Sequence, residues 1–248
     1  MRKQLLFLCP LLLVSTAVWA APVCVSGSLA SYEALGAGGC SIGGVTFDGF
    51  AFSETGSQQP PINASDVLVQ PITGSSDTGL SFQGAFGAGA GMNLDALISF
   101  MVSAAPGSIT GDSLSMVGAQ TGGGNAQVVE TLCANGSFGA NGSCTGTGAF
   151  EPQALNVFAG TGGQKLFDSE TFASAASSLD VVKNIIVQGG TANSASSAGI
   201  SLVINTVPTP GGSGGPGGSQ IPEPDTLITL GSGLVLTALL LRKRVRNA

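Results

Sequence analysis

Met92-Asn93-Leu94-Asp95-Ala96-Leu97-Ile98-Ser99-Phe100-Met101-Val102-Ser103 sets Met92, Leu94, Ala96, Ile98, Phe100 and Val102 on one parity. The mixed set Asn93, Asp95, Leu97, Ser99, Met101 and Ser103 occupies the other. Successive side chains of an extended strand point to opposite faces, so this stretch reads as a strand with one buried face. The period recurs on either side. Leu80, Phe82 and Phe86 share a parity with Gly84 between them. Leu179, Val181, Ile185 and Val187 share another, and Ala198, Ile200, Leu202 and Ile204 repeat the pattern. Val45-Thr46-Phe47-Asp48-Gly49-Phe50-Ala51-Phe52 changes parity at Gly49, as a bulge does. Clusters of Gly, Ser, Asn and Pro punctuate these runs, and no strong helical stretch interrupts them. The expected fold is all-β, an antiparallel β-sandwich-like domain over residues 21–207. A domain of this size buries roughly 70% of its unfolded surface, enough core to need no cofactor.

Composition narrows the chemistry. Of 248 residues 39 are Gly, only 9% are charged, and none is His. The absence of His removes Ser-His-Asp and Cys-His catalysis together with every His-ligated metal site. Arg2 and Lys3 begin the chain, and Arg242, Lys243, Arg244 and Arg246 end it, so Lys165 and Lys183 are the only bases between. All 14 acidic residues lie in that interval. Such a body cannot neutralise a phosphate backbone, which excludes nucleic acid as a partner.

The ends read as addresses. Arg2 and Lys3 precede an apolar stretch from Leu5 to Val14, and Val18-Trp19-Ala20 places small or slim residues before a cut between Ala20 and Ala21. Residues 1–20 are therefore expected to be a signal helix read by the export machinery and removed. Residues 208–220 contain Gly211-Gly212-Ser213-Gly214-Gly215-Pro216-Gly217-Gly218-Ser219, the composition of a flexible spacer. Pro222-Glu223-Pro224 follows, then an apolar run over 226–241 and the basic cluster Arg242-Lys243-Arg244-Val245-Arg246. As a helix that run measures about 24 Å, a little short of a hydrocarbon core of about 30 Å. The basic cluster is expected to stay cytoplasmic and the acidic body to lie outside the inner membrane.

The order of parts over 221–248 resembles the PEP-CTERM sorting signal of exported bacterial proteins, carried here by Pro222, Glu223, Pro224, the hydrophobic run, and Arg242, Lys243 and Arg244. Asp225 departs from the Ser, Thr or Ala usual at that place. The resemblance implies a membrane-embedded exosortase, a cysteine protease or transpeptidase, as partner. It also implies passage through the inner membrane to the cell surface or extracellular matrix of a bacterium. The opening stretch from Ser28 to Gly43, and Leu179-Asp180-Val181-Val182-Lys183-Asn184, are similar to segments of ectodomains of that family, and no activity comes with them.

Cys24, Cys40, Cys133 and Cys144 remain after removal of the signal, an even number that favours disulfides in an exported chain. Three connectivities exist, and local pairs Cys24–Cys40 and Cys133–Cys144 are preferred. Between the latter two lie Asn135-Gly136 and Asn141-Gly142, strong turn formers that bring the loop's ends together. Little else points to chemistry. Gly122-Gly123-Gly124 and Gly87-Ala88-Gly89-Ala90-Gly91 lack the Lys-Ser/Thr of a phosphate loop and read as flexible connections. Asp168-Ser169-Glu170 lacks a calcium-loop frame. No catalytic residue, cofactor or metal is expected. The expectation is a non-enzymatic surface or matrix protein, with exopolysaccharide as a partner for its neutral polar surface. Two alternatives stay open: a permanently membrane-anchored ectodomain that binds glycan, and a glycosidase using two of Glu54, Asp95, Glu130 and Glu151.

Overall fold

The computed structural model describes residues 21–74 and 77–208. The signal helix, the linker from 209 onward and the C-terminal helix expected from the sequence lie outside the described residues. In chain order the strands are β1 (Gly27–Ser28), β2 (Cys40–Ile42), β3 (Val45–Gly56), β4 (Leu68–Thr73), β5 (Asp77–Gly89), β6 (Asn93–Ser103), β7 (Ile109–Thr121) and β8 (Asn125–Ala134). They continue with β9 (Ser137–Phe138), β10 (Cys144–Thr145), β11 (Leu155–Gly160), β12 (Gly163–Lys165), β13 (Phe167–Ala176), β14 (Ser178–Gln188) and β15 (Ser197–Pro208). One short helix, α1 (Leu29–Glu33), starts at Ser28, whose side chain accepts a hydrogen bond from the Ser31 amide. Among the described residues no helix is long and apolar enough to cross a membrane.

The architecture is two antiparallel sheets packed face to face. The larger has the order β12-β11-β8-β14-β6-β3-β2, the smaller β1-β4-β5-β15-β7-β13, with β9 and β10 as a separate ribbon. From β5 to β8, and again from β13 to β15, successive strands alternate between the two sheets. The long strands other than β13 each contribute an apolar parity to a common interior, and β13 adds Phe172 and Ala176. On β6 that parity is Leu94, Ala96, Ile98, Phe100 and Val102, all buried, whereas Met92 lies outside the strand and is exposed. On β5 it is Leu80, Phe82 and Phe86. Phe100 lies 5.5 Å from Phe50 within the larger sheet and 5.7 Å from Phe82 of the smaller one, so a cluster of rings spans the sandwich.

Two bulges adjust the pattern. The β3–β6 register shifts between Asp48 and Ala51, with Gly49 at φ 63°, so that Phe47 and Phe50 both point inward. A second shift, between Ile200 and Leu202 on β15, corrects the sequence reading. Ala198 and Ile200 face the core as expected, but beyond the bulge the inward residues are Val203, Asn205 and Val207, while Leu202 and Ile204 are half-buried.

Of the two glycine-rich stretches read as connections, that over 87–91 is largely strand and that over 122–124 does connect two strands. Gly87, Ala88 and Gly89 belong to β5. Gly122-Gly123-Gly124 carries the chain from one sheet to the other, with a Cβ on Gly124 falling 2.2 Å from the Ser197 carbonyl oxygen. That close approach requires glycine.

Both local disulfides are formed. Cys24–Cys40 has a Cα separation of 4.8 Å, and fastens the N-terminal segment to β2 beside the hydrogen bond from Cys24 N–H to the Ser41 carbonyl. Cys133–Cys144 has a Cα separation of 5.2 Å and closes the loop that carries the β9–β10 ribbon. Asn135 there adopts the left-handed conformation at φ 55°, the turn its sequence announced.

Candidate functional site

Of the site residues read from the sequence, Pro222, Glu223, Pro224, Arg242, Lys243 and Arg244 of the sorting motif lie outside the described residues, as does Ala20. Ala21 is the first described residue, its carbonyl accepting from the Ser41 hydroxyl. The four carboxylates considered for glycoside hydrolysis are not brought together. Glu54 pairs across from Ala96, whereas Asp95 pairs across from Thr55, which places the two on opposite faces of the larger sheet. Glu151 is exposed and accepts the Cys144 amide at 2.9 Å. Glu130 is wholly buried. Asp168 is engaged in the β11–β13 region, accepting from Asn156 N–H and pairing with Lys165 at 2.8 Å. No set of three His, Cys, Asp or Glu residues able to hold a metal occurs among the described residues.

The unusual chemistry is in the middle of the sandwich. Lys183 and Glu130 face each other as a cross-strand pair on β14 and β8, and both point into the core from the larger sheet. Asp112 on β7 and Asn205 on β15 point in from the smaller sheet. The registers Asn205↔Leu114 and Thr206↔Ser113 place them diagonally on adjacent strands. The strand period dictates this arrangement. Lys183 lies on the parity of Val181 and Ile185, Glu130 on that of Val128 and Leu132, and Asp112 on that of Leu114 and Met116. All four side chains are buried, with Lys183, Glu130 and Asn205 at 0% exposure.

Their contacts bridge the two sheets. Asn205 Nδ2 donates to Asp112 Oδ1 at 2.8 Å and Oδ2 at 2.9 Å, and to Glu130 Oε1 at 3.2 Å. It also lies 3.4 Å from the Ser113 carbonyl oxygen. Lys183 Nζ forms an ion pair with Glu130 Oε2 and stands 5.8 Å from the centre of the Phe100 ring. Asn205 Oδ1 is buried and accepts no hydrogen bond among the described residues. Burial pushes the Asp112 carboxyl up to about 7, against the opposing pull of Lys183 and the hydrogen bonds from Asn205 and Ser113. Burial likewise pushes the Lys183 amine down to about 7, with the Asp112 charge acting the other way. The core therefore holds an amine and a carboxyl whose charged forms burial disfavours.

Sequence reading singled out Glu130 for another role and missed Asp112, Lys183 and Asn205. The signal was present: each is a polar residue on the inward parity of an apolar strand. For Asn205 the bulge concealed it.

No protein-family model matches the chain, and no curated protein matches it. Solved structures give faint likenesses. One is TmCBM61 in complex with beta-1,4-galactotriose, at 10% identity and TM-score 0.28, covering 62% of this chain and 86% of that one. Another is the enzymatically active domain of bacteriophage CBA120 tailspike protein 4, at 12% identity and TM-score 0.23, covering 64% of this chain and 19% of that one. A third is the family 11 carbohydrate-binding module from Clostridium thermocellum in complex with a beta-1,3-1,4-mixed-linked tetrasaccharide, at 9% identity and TM-score 0.20, covering 74% of this chain and 96% of that one.

Proposed function

We propose that this chain is a non-enzymatic structural protein of a bacterial surface or extracellular matrix. In this reading the export machinery removes residues 1–20, and an exosortase-like protease or transpeptidase acts at Pro222-Glu223-Pro224 while the apolar run over 226–241 sits in the inner membrane. The observation that carries it is the disulfide pair Cys24–Cys40 and Cys133–Cys144, which uses all four cysteines of the domain. Such bonds persist in oxidising compartments and are rare in the cytosol. The outer surface suits a neutral, hydrated partner. On the smaller sheet Thr206, Ser113 and Ser169 form a cross-strand row of hydroxyls, with Ser113 Oγ and Thr206 Oγ1 2.6 Å apart. A row of this kind can exchange hydrogen bonds with exopolysaccharide.

The test is peptide mass spectrometry on membrane, periplasmic, surface and medium fractions of the producing cell. The expected result is a protein that begins at Ala21, lacks peptides beyond Pro224, and is found at the surface or in the matrix. A chain that keeps residues 226–242 and stays in the inner membrane would replace the sorting reading with a permanent anchor. A chain that begins at Met1 and stays in the cytosol would overturn the proposal.

A further inference from the structure

A nonpolar sandwich does not place an amine, a carboxamide and two carboxyl groups at its centre without consequence. Removing charges from water is expensive, and a buried ion pair recovers that expense only with excellent geometry. Glu130 touches both nitrogens, Lys183 Nζ through Oε2 and Asn205 Nδ2 through Oε1. Asp112 grips Asn205 Nδ2 through both of its oxygens. The amine belongs to one sheet and the carboxamide to the other.

We propose that Lys183 and Asn205 join in an intramolecular isopeptide bond between Nζ and Cγ, with Glu130 carrying the proton between the two nitrogens. The step balances without any co-reactant. The lone pair of the neutral amine attacks Asn205 Cγ, and the carbonyl electrons move onto Oδ1. Glu130 takes a proton from Nζ and delivers it to Nδ2. The carbonyl re-forms, the Cγ–Nδ2 bond breaks, and Nδ2 leaves as ammonia. Glu130 is a carboxylate again at the end, and nothing has been oxidised or reduced.

Three features of the site favour the reaction. The Phe100 ring and the surrounding apolar side chains desolvate the amine, which raises the share of its neutral, nucleophilic form. Folding fixes the reacting groups in one place, which replaces a bimolecular encounter with an intramolecular one. The site is closed to water, so the intermediate is protected from hydrolysis. Asp112 acts on the leaving group: its two contacts with Nδ2 hold that nitrogen beside Glu130. The product removes the ammonium from the core and leaves an amide in its place. This inference is independent of where the protein is delivered, because the reaction needs only the folded domain.

The test is the mass of the full chain, expressed with its export signal, reduced, and measured after denaturation. The expected result is a deficit of one ammonia molecule relative to the sequence. Lys165 and Lys183 are the only trypsin sites between Lys3 and Arg242. The linked chain therefore resists cleavage at Lys183, and fragmentation of the peptide that begins at Leu166 finds a ring closed between Lys183 and Asn205. Asn205→Asp converts the deficit to one water molecule. Glu130→Gln, which keeps the shape of the side chain, restores the unlinked mass and cleavage at Lys183. A wild-type chain of unmodified mass that is cut at Lys183 overturns the proposal whatever the variants do. A water deficit with Lys183 joined to Glu130 or Asp112 overturns the assignment of Asn205.

Discussion

Replacing the cysteines in pairs tests how far the domain depends on an oxidising compartment. The loops closed by Cys133–Cys144 and Cys24–Cys40 span sequence separations of 11 and 16 residues. Loop-closure entropy assigns each bond about 3 kcal/mol, with the longer loop only slightly ahead. Burial separates them further. Cys24 and Cys40 both sit in the core, whereas Cys144 is only half-buried, so alanines at 24 and 40 also lose packing. Losing both bonds removes on the order of 6 kcal/mol, against a typical total stability of roughly 5–15 kcal/mol. The assay is urea unfolding of the Cys133→Ala/Cys144→Ala and Cys24→Ala/Cys40→Ala variants, followed by circular dichroism and by the fluorescence of Tyr32, the chain's one tyrosine. Tyr32 reports locally: its ring is 5.0 Å from that of Phe50, and its hydroxyl donates to the Val25 carbonyl oxygen beside Cys24. At an m-value of about 2 kcal/mol per molar urea, each pair should lower the midpoint by about 1.5 M. Variants that unfold at the wild-type midpoint would refute the reasoning.

Phe100→Ala should destabilise by about 3–5 kcal/mol, because its ring packs against Phe47, Phe50 and Phe82 from both sheets; a loss below about 1 kcal/mol in the same urea assay would contradict this packing. Gly79→Ala should destabilise strongly, since its Cβ would fall 1.9 Å from the Asn205 backbone oxygen, and β15 would have to move; an unchanged thermal midpoint would contradict that contact. Lys165→Ala should alter stability by less than about 0.5 kcal/mol, because its pair with Asp168 is exposed on the lysine side, and a larger change in urea would contradict that. The unlinked Glu130→Gln variant should show a stability minimum near pH 7. Between 3.8 and about 7 folded Asp112 keeps a proton that the unfolded chain releases, so stability falls as pH rises. Between about 7 and 10.5 the unfolded chain keeps a Lys183 proton that the folded state has lost, so stability rises. An amide-linked Lys183 has no such proton, so thermal midpoints of the wild type should lack the upper rise; the same rise in both proteins would contradict the linkage.

The sheets were legible because strand periodicity is a local property. The alternation from Leu94 to Val102 and the parity change at Gly49 both appear in the structure where the sequence put them. The Cys133–Cys144 pair was legible for a related reason, since the turn-forming Asn135-Gly136 and Asn141-Gly142 steps act over a few residues. What escaped depends on contacts distant in sequence. The bulge after Ile200 reverses which side of β15 faces inward, and only pairing with β5 and β7 reveals it. The central cluster is assembled from β7, β8, β14 and β15, and no single window contains more than one of its members. Lys183 carried the clearest warning, a charged residue in step with Val181 and Ile185.

β15 is the last described strand, yet it lies inside its sheet, bonded along most of its length to β5 on one side and β7 on the other. A pull applied at Pro208 along the axis of β15 meets both neighbouring strands at once. Both ladders are then loaded in shear, with many hydrogen bonds resisting together, whereas an edge strand peeled from its end loses them one after another. The central position of β15 makes the domain most resistant to force applied along that strand's axis.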